Sequence, residues 1–199
     1  EMSSRGLGDV YKRQTVTITV TPTDVPPSIA TTQALTTPED TQLTFPVSVT
    51  DADTATHTLS LVSAPTNGTV TFSGTNATYT PPADWHGTTT FVIQASDGTS
   101  GSNNQTVTMV VTPVNDQPIL MGTGSLTLAE DTSATYTETT VTDVDVGDTH
   151  DLVVIHHPLG GSVSVVGMDL IFTPNPNWNG STYFTYQARD QANLGSNAK

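Results

Sequence analysis

Cysteine is absent from the 199 residues. Disulfides, thiolate zinc sites and thiol catalysis are thereby excluded; the compartment stays open, and the absence is compatible with export. Basic residues are nearly as scarce: five Lys and Arg stand against nineteen Asp and Glu, for a net charge of −14. Three of the five (Arg5, Lys12, Arg13) fall within the first fourteen positions, leaving only Arg189 and Lys199 for the rest of the chain. Such a surface repels nucleic acid and anionic lipid and attracts cations. No apolar run reaches the ~18 residues a membrane-crossing helix requires. At 34% hydrophobic and 6% aromatic residues, the chain can build only modest cores.

What is abundant is threonine, a good strand residue and a poor helix former. It alternates with Val and Ile in two near-copies, "TVTITVTP" from Thr15 and "TVTMVVTP" from Thr106. Each leads into an acidic, proline-bounded joint, "TDVPP" and "VNDQP". The duplication extends much further. With Pro27 set on Pro118, "PED" (Pro38 to Asp40) meets "AED" (Ala129 to Asp131) and Phe45 meets Tyr136. One extra residue brings "VTDAD" (from Val49) onto "VTDVD" (from Val141). A second aligns His57 with His150, "YTPPADWHG" (from Tyr79) with "FTPNPNWNG" (from Phe172), and "FVIQASD" (from Phe91) with "FTYQARD" (from Phe184). So many matches in register define a tandem repeat of about 90 residues.

Period-2 alternation runs through each copy. Phe45, Val47 and Val49 share one strand face, as do Phe91, Ile93 and Ala95, and Val107, Met109 and Val111. Turn residues break the chain at short intervals, and no helical period appears. The expectation is an all-β chain of tandem Greek-key β-sandwich modules. Residues 1–14, without counterpart in the repeat, are set aside as a non-native or disordered tail. Residues 15–26 are expected to be the last strand of a preceding module plus a linker, 27–116 a complete module, and 117–199 a second module lacking its final strand.

The acids are the candidates for chemistry, and they recur at matching positions. Glu39 and Asp40 match Glu130 and Asp131; Asp51 and Asp53 match Asp143 and Asp145; Asp97 matches Asp190. A D-x-D in extended chain turns both carboxylates to one side. Clustered hard oxygen ligands suit Ca²⁺. The competing reading of the same acids is turn capping and a well-solvated surface.

"VNDQP", then "AED", then "VTDVDVGD", then "QARD", resemble in their order the calcium-site elements of cadherin repeats. They are more similar still to the cadherin-like and immunoglobulin-like tandem modules of large bacterial surface adhesins. The resemblance runs from about Thr15 to Lys199. It implies calcium at the joint between the two modules, held by Asn115 and Asp116 with Asp143, Asp145 and Asp190. Glu39 and Asp40 or Asp84 would come from the preceding module. The Asp-Arg-Glu element of animal cadherins is missing, and Asp84 or Asn177 stands roughly in its place. The first joint has Asp24 followed by Val25 where the second has Asn115 and Asp116, so the second is expected to bind more tightly.

Trp85 and Trp178 hold one repeat position before a glycine, and they read either as corner anchors or as a sugar-stacking platform. His156 and His157, near His150 and Asp151, would suit a transition metal but have no counterpart in the first copy. N-x-S/T sequons at Asn67, Asn76, Asn104 and Asn179 are cheap matches in so Thr-rich a chain. No nucleophile, phosphate loop or catalytic constellation recurs. The expected function is a non-catalytic extracellular spacer or adhesion module on a bacterial surface or secreted protein. Its partners would be neighbouring repeats and a cell-surface protein or glycan, with neither nucleic acid nor direct membrane insertion. The alternative is an accessory carbohydrate-binding module of a polysaccharide-active enzyme. It would need a row of exposed aromatics, whereas most of the twelve fall on inward parity.

Overall fold

The computed structural model describes residues 15–30 and 34–199. The segment set aside as a tail, 1–14, lies outside the described residues. All regular structure among the described residues is β. The first module contains β1 (Ser28–Ile29), β2 (Leu35–Pro38), β3 (Leu43–Pro46), β4 (Val49–Thr50), β5 (Thr58–Ser63), β6 (Thr69–Ser73), β7 (Asn76–Thr80), β8 (Gly87–Ser96) and β9 (Gln105–Thr112). The second contains β10 (Ile119–Leu120), β11 (Ala134–Thr137), β12 (Val141–Thr142), β13 (Asp151–His156), β14 (Gly161–Val166), β15 (Asp169–Pro174) and β16 (Thr185–Arg189).

In the first module one sheet has the order β2-β9-β8-β5 and the facing one β3-β7-β6, with β1 paired to β4 at the side. β2 joins β9 in parallel while every other pair is antiparallel. This is an immunoglobulin-type sandwich. The second module keeps β11-β15-β14, β13-β16 and β10-β12, while residues 126–129, the counterparts of β2, form no strand. Even the irregularities recur: β5 bulges against β8 after Leu61, and β13 against β16 after Val154. The β6–β7 and β14–β15 hairpins each turn on a two-residue loop whose first member is a glycine with positive φ, Gly74 (58°) or Gly167 (60°). That is the glycine position of a type II′ turn.

The alternation seen in the sequence sets the core. Phe45, Val47, Phe91, Ile93, Ala95, Val107, Met109 and Val111 are all buried, with Tyr79 and Ala77 between them. The second core is smaller and more polar, built on Leu120, Leu152, Leu170, Tyr186 and Ala188. At the places of Val47 and Ile93 it carries Glu138 and Tyr186, both buried. The Tyr186 hydroxyl donates to Glu138 Oε2. Thr140 donates to Oε1 through its N–H (2.7 Å) and its hydroxyl. Burial would raise the Glu138 pKa, but the hydrogen bonds from Thr140 and Tyr186 outweigh it and leave the carboxyl below its usual range. Tyr186 is pushed strongly upward, by burial and by this acceptor.

Two further segments differ from simple repetition. Thr15–Thr21, expected as a strand, pairs with nothing and leaves Val16, Ile18 and Val20 at 80–85% exposure. A strand gains its hydrogen bonds only from a neighbouring edge, and no described strand lies beside this one. In the second module, Lys199 and Tyr186 exchange backbone hydrogen bonds (2.8 and 2.9 Å) where the first pairs Gln105 with Ile93. Residues 180–184, the counterpart of the first half of β8, have no strand partner and no strand structure.

Candidate metal centre at the joint between modules

The end of β2 places the first ligands. The Glu39 N–H donates to Thr112 O (2.9 Å), extending the parallel β2–β9 pairing by one residue. Glu39 is thereby fixed, buried, beside the exit of β9, and its Oε1 accepts the Val114 N–H at 2.6 Å. Asp40 follows with φ +57°, and its Oδ1 accepts the N–H of Asp84, itself at φ +54°. Asp tolerates this left-handed region better than most residues. The repeat preserves the device: the Asn177 N–H (φ +56°) donates to Asp131 Oδ1 (φ +61°) at 2.8 Å.

The joint itself is clasped from the other side. The Asp116 N–H donates to Asp145 Oδ2 (2.6 Å), and Asn115 Nδ2 donates to Asp190 Oδ2 (2.6 Å) and Asp116 O (2.8 Å). Asp143 Oδ1 accepts the Asp145 N–H (3.1 Å), closing the D-x-D on itself. Pro118 is fully buried behind these contacts. The result is three groups of acids, each offering oxygens within 4.8 Å of one another: Glu39, Asp116 and Asp145; Asp40, Asp84 and Asp116; and Asp143, Asp148 and Asp190. Asp116 belongs to two of them.

Such crowding leaves an electrostatic mark. Burial, followed by the charges of Asp84, Asp145, Asp40 and Glu39, pushes the Asp116 pKa upward. Burial would raise Asp190 too, but hydrogen bonds from Asn115 and from the Leu194 and Ala192 N–H groups bring it below its usual value. Among the described residues no Lys or Arg lies within ion-pair distance of these carboxylates. The basic side chains nearest to them are His86, 3.8 Å from Glu39, and His150, 2.9 Å from Asp143.

Every acid assigned to the joint from the sequence therefore comes to it: Glu39, Asp40, Asp84, Asp116, Asp143, Asp145 and Asp190. Asn115 reaches it through its amide nitrogen. Two participants at this joint were missed, Asp148 and His150. Asp148 sits where the second copy carries its extra residue, so repetition gave no signal for it, although "DVDVGD" is itself dense in acid. His150 and its repeat counterpart His57 each hold the first carboxylate of a D-x-D, at 2.9 Å to Asp143 and 3.1 Å to Asp51. Their matched positions were that signal.

At the first joint, Val25 takes the place of Asp116. Its N–H donates to Asp53 Oδ2 (3.0 Å), and Asp24 Oδ2 accepts from the Ser100 hydroxyl (2.7 Å). No group of three acids forms there among the described residues. The other candidates fall elsewhere. Trp85 packs on the first core with its ring 3.1 Å from the Cβ position of Gly87, and Trp178 meets Phe172 edge-on at 6.4 Å. Both are corner anchors. His156 stacks on Tyr183 (5.0 Å), and among the described residues neither it nor His157 joins an acid or histidine cluster.

Two immunoglobulin-type sandwiches in tandem, joined through an acidic linker, define the class of the molecule. The sequence profile of the bacterial Ig domain matches residues 23–110 and 115–199, and the chain belongs to that family. No curated protein matches it. Among solved structures it is similar to protocadherin gamma B2 extracellular cadherin domains 3–6, at 14% identity and a TM-score of 0.49, covering 87% of this chain and 46% of that one. It is also similar to human mucin-like protocadherin EC1-2 (17% identity, TM-score 0.47, 83% of this chain and 88% of that one). A third is the endo-fucoidan hydrolase MfFcnA4 of glycoside hydrolase family 107 (18%, 0.41, 90% and 28%). The chain spans less than half the length of the first and third of these.

Proposed function

We propose that this chain is a non-catalytic spacer segment of a bacterial surface or secreted repeat protein, in which calcium fixes the angle between two immunoglobulin-like modules. The carrying observation is the meeting, at Asp116, of Glu39, Asp40 and Asp84 from one module with Asp145 from the next. The donor set fits a hard divalent cation: it is all oxygen, anionic and uncompensated by Lys or Arg, and 6–8 such ligands are what Ca²⁺ takes. A bound cation would offset the repulsion that now raises the Asp116 pKa, and would tie modules together that otherwise share a short linker. In the third group, a half-turn of the Asn115 amide would present its oxygen instead of its nitrogen. Family membership and the absence, among the described residues, of a helix long and apolar enough to cross a membrane agree with an extracellular module. The glycan-binding alternative finds little support, because Trp85 and Trp178 are spent on packing and, among the described residues, Tyr183 is the one aromatic in the set of strongly exposed large side chains.

The test is thermal unfolding in millimolar Ca²⁺ and in chelator, beside small-angle scattering. The expected outcome is a higher Tm and a narrower distribution of inter-module distances with calcium. Identical melts and profiles would remove the calcium part of the reading.

A further inference from the structure

In the first module a cleft of about 450 Å³ opens between residues 47–57 and the turn at Thr75. Every residue that lines it belongs to that module. The repeat shows why the cleft is open. The Gly74–Thr75 turn becomes Gly167–Met168 in the second module, on the same backbone bond: the Val47 N–H donates to Thr75 O (2.8 Å) and the Glu138 N–H to Met168 O (2.8 Å). Met168 packs against the second core, whereas the shorter Thr75 is exposed and fills nothing.

Two of the lining side chains are nearly buried, Asp51 at 0% exposure and His57 at 7%. Asp51 Oδ1 accepts the Asp53 and Thr54 N–H groups (3.1 and 3.3 Å), and Oδ2 faces His57 Nε2 (3.1 Å). An ionised carboxylate only accepts, so in the neutral ring Nε2 carries the proton and Nδ1 keeps the lone pair. The Nε2 bond is the one His57 makes among the described residues, and no sealed side-chain nitrogen goes unpaired there. Nδ1 therefore opens on the cleft that the ring lines. The hydroxyls of Ser48, Thr54 and Thr75 line the same space.

We propose that this cleft binds a neutral, polyhydroxylated ligand, a single sugar unit, through His57 Nδ1 and the hydroxyls of Ser48, Thr54 and Thr75. The ring nitrogen accepts from a sugar hydroxyl, and the Ser and Thr hydroxyls both donate and accept. The carboxylates of Asp51 and Asp53 turn anions away. A metal ion lacks ligands, because no group of three acids or histidines includes His57 among the described residues. The volume falls within the ~300–1,000 Å³ of small-ligand sites. Recognition here runs through placed polar groups rather than ring stacking, so the packing of Trp85 and Trp178 does not bear on it.

Two-dimensional amide NMR of the 199-residue chain, in chelator, keeps the test independent of calcium at the joint. Glucose, galactose, mannose, fucose and N-acetylglucosamine are titrated in turn. At least one is expected to shift Ser48, Thr54, His57 and Thr75 saturably while leaving the counterparts Thr139, Gly147, His150 and Met168 in place. Thr75→Met, which copies the second module at an exposed turn, should abolish the shifts, and Ser48→Ala should weaken binding several-fold. Silence with every sugar of the panel would overturn the proposal. So would shifts that survive Thr75→Met, or that appear equally in both modules.

Discussion

His150 Nε2 stands 2.9 Å from Asp143 Oδ2, and the other oxygen of the same carboxylate accepts the Asp145 N–H. The histidine thus orients the first acid of the D-x-D, as an outer partner orients a ligating group. His57 and Asp51 repeat the arrangement at 3.1 Å in the first module, where no three-acid group forms.

That second copy gives a pH prediction free of the metal question. Asp51 is lowered to about 2, first by the Asp53 N–H, against the opposing effect of burial, and then by His57, Asp53 and Thr54. A depressed folded pKa contributes stability that is present above the unfolded value of 3.8 and lost as pH falls towards 2. Asp51→Asn should therefore lower the Tm at pH 5 and make little difference near pH 2, read by circular dichroism melts at both.

At the joint the signs are reversed. Asp116 has a raised pKa, so its ionised form opposes folding as pH rises, until a cation is bound. Asp116→Asn should raise the Tm in chelator and lose most of the calcium-induced increment. With one site at calcium tenfold above Kd, that increment is worth about 1.4 kcal/mol. Asp145→Asn should lose it as well, while Asp24→Asn at the first joint should keep it. Paired melts of the three variants check the pattern.

Glu138 and Tyr186 form a buried polar pair where the first module packs Val47 against Ile93. Glu138→Val alone leaves the Tyr186 hydroxyl without its acceptor and should cost about 1–3 kcal/mol. Adding Tyr186→Ile restores the apolar pairing of the first module and should recover much of the loss. A double-mutant cycle by urea unfolding measures the coupling, and additive single effects would contradict it.

Gly68 combines φ +88° with a would-be Cβ only 2.6 Å from Thr80 O. Gly98 has φ +102° and open space around it. Gly98→Ala should cost about 1–2 kcal/mol for the left-handed backbone alone, and Gly68→Ala distinctly more. Chemical denaturation of the two variants separates conformational strain from collision.

Much of this architecture was legible because period-2 alternation and repetition are local and redundant: Phe91, Ile93 and Ala95 declare an inward face by themselves. Most acids of the joint were legible for a related reason: Glu39, Asp40, Asp143, Asp145 and Asp190 each have an acidic copy in the other module, whereas Asp84 and Asp116 were placed by the resemblance of their motifs. Asp148 was not, since it has no copy. The His–Asp pairs were missed because the partners lie six or seven residues apart across a turn whose closure depends on three-dimensional geometry. Glu138 stands on the inward parity of β11 beyond Tyr136, but its hydroxyl partner Tyr186 is 48 residues away and only the packed core reveals the match.

Asp40, Asp84, Asp131 and Asn177 all hold the chain in a left-handed bend. Such a bend admits Asp, Asn or Gly at small cost and resists most other side chains. The fold therefore restricts these positions to a short alphabet that happens to include both a strong and a weak cation ligand, as the exchange of Asp84 for Asn177 illustrates. Successive joints in an array can differ in rigidity through a single Asp-to-Asn exchange, with the backbone trace undisturbed. If calcium binds the joint as proposed, stiffness along an array of such modules would be written one joint at a time, independently of the sandwiches it connects.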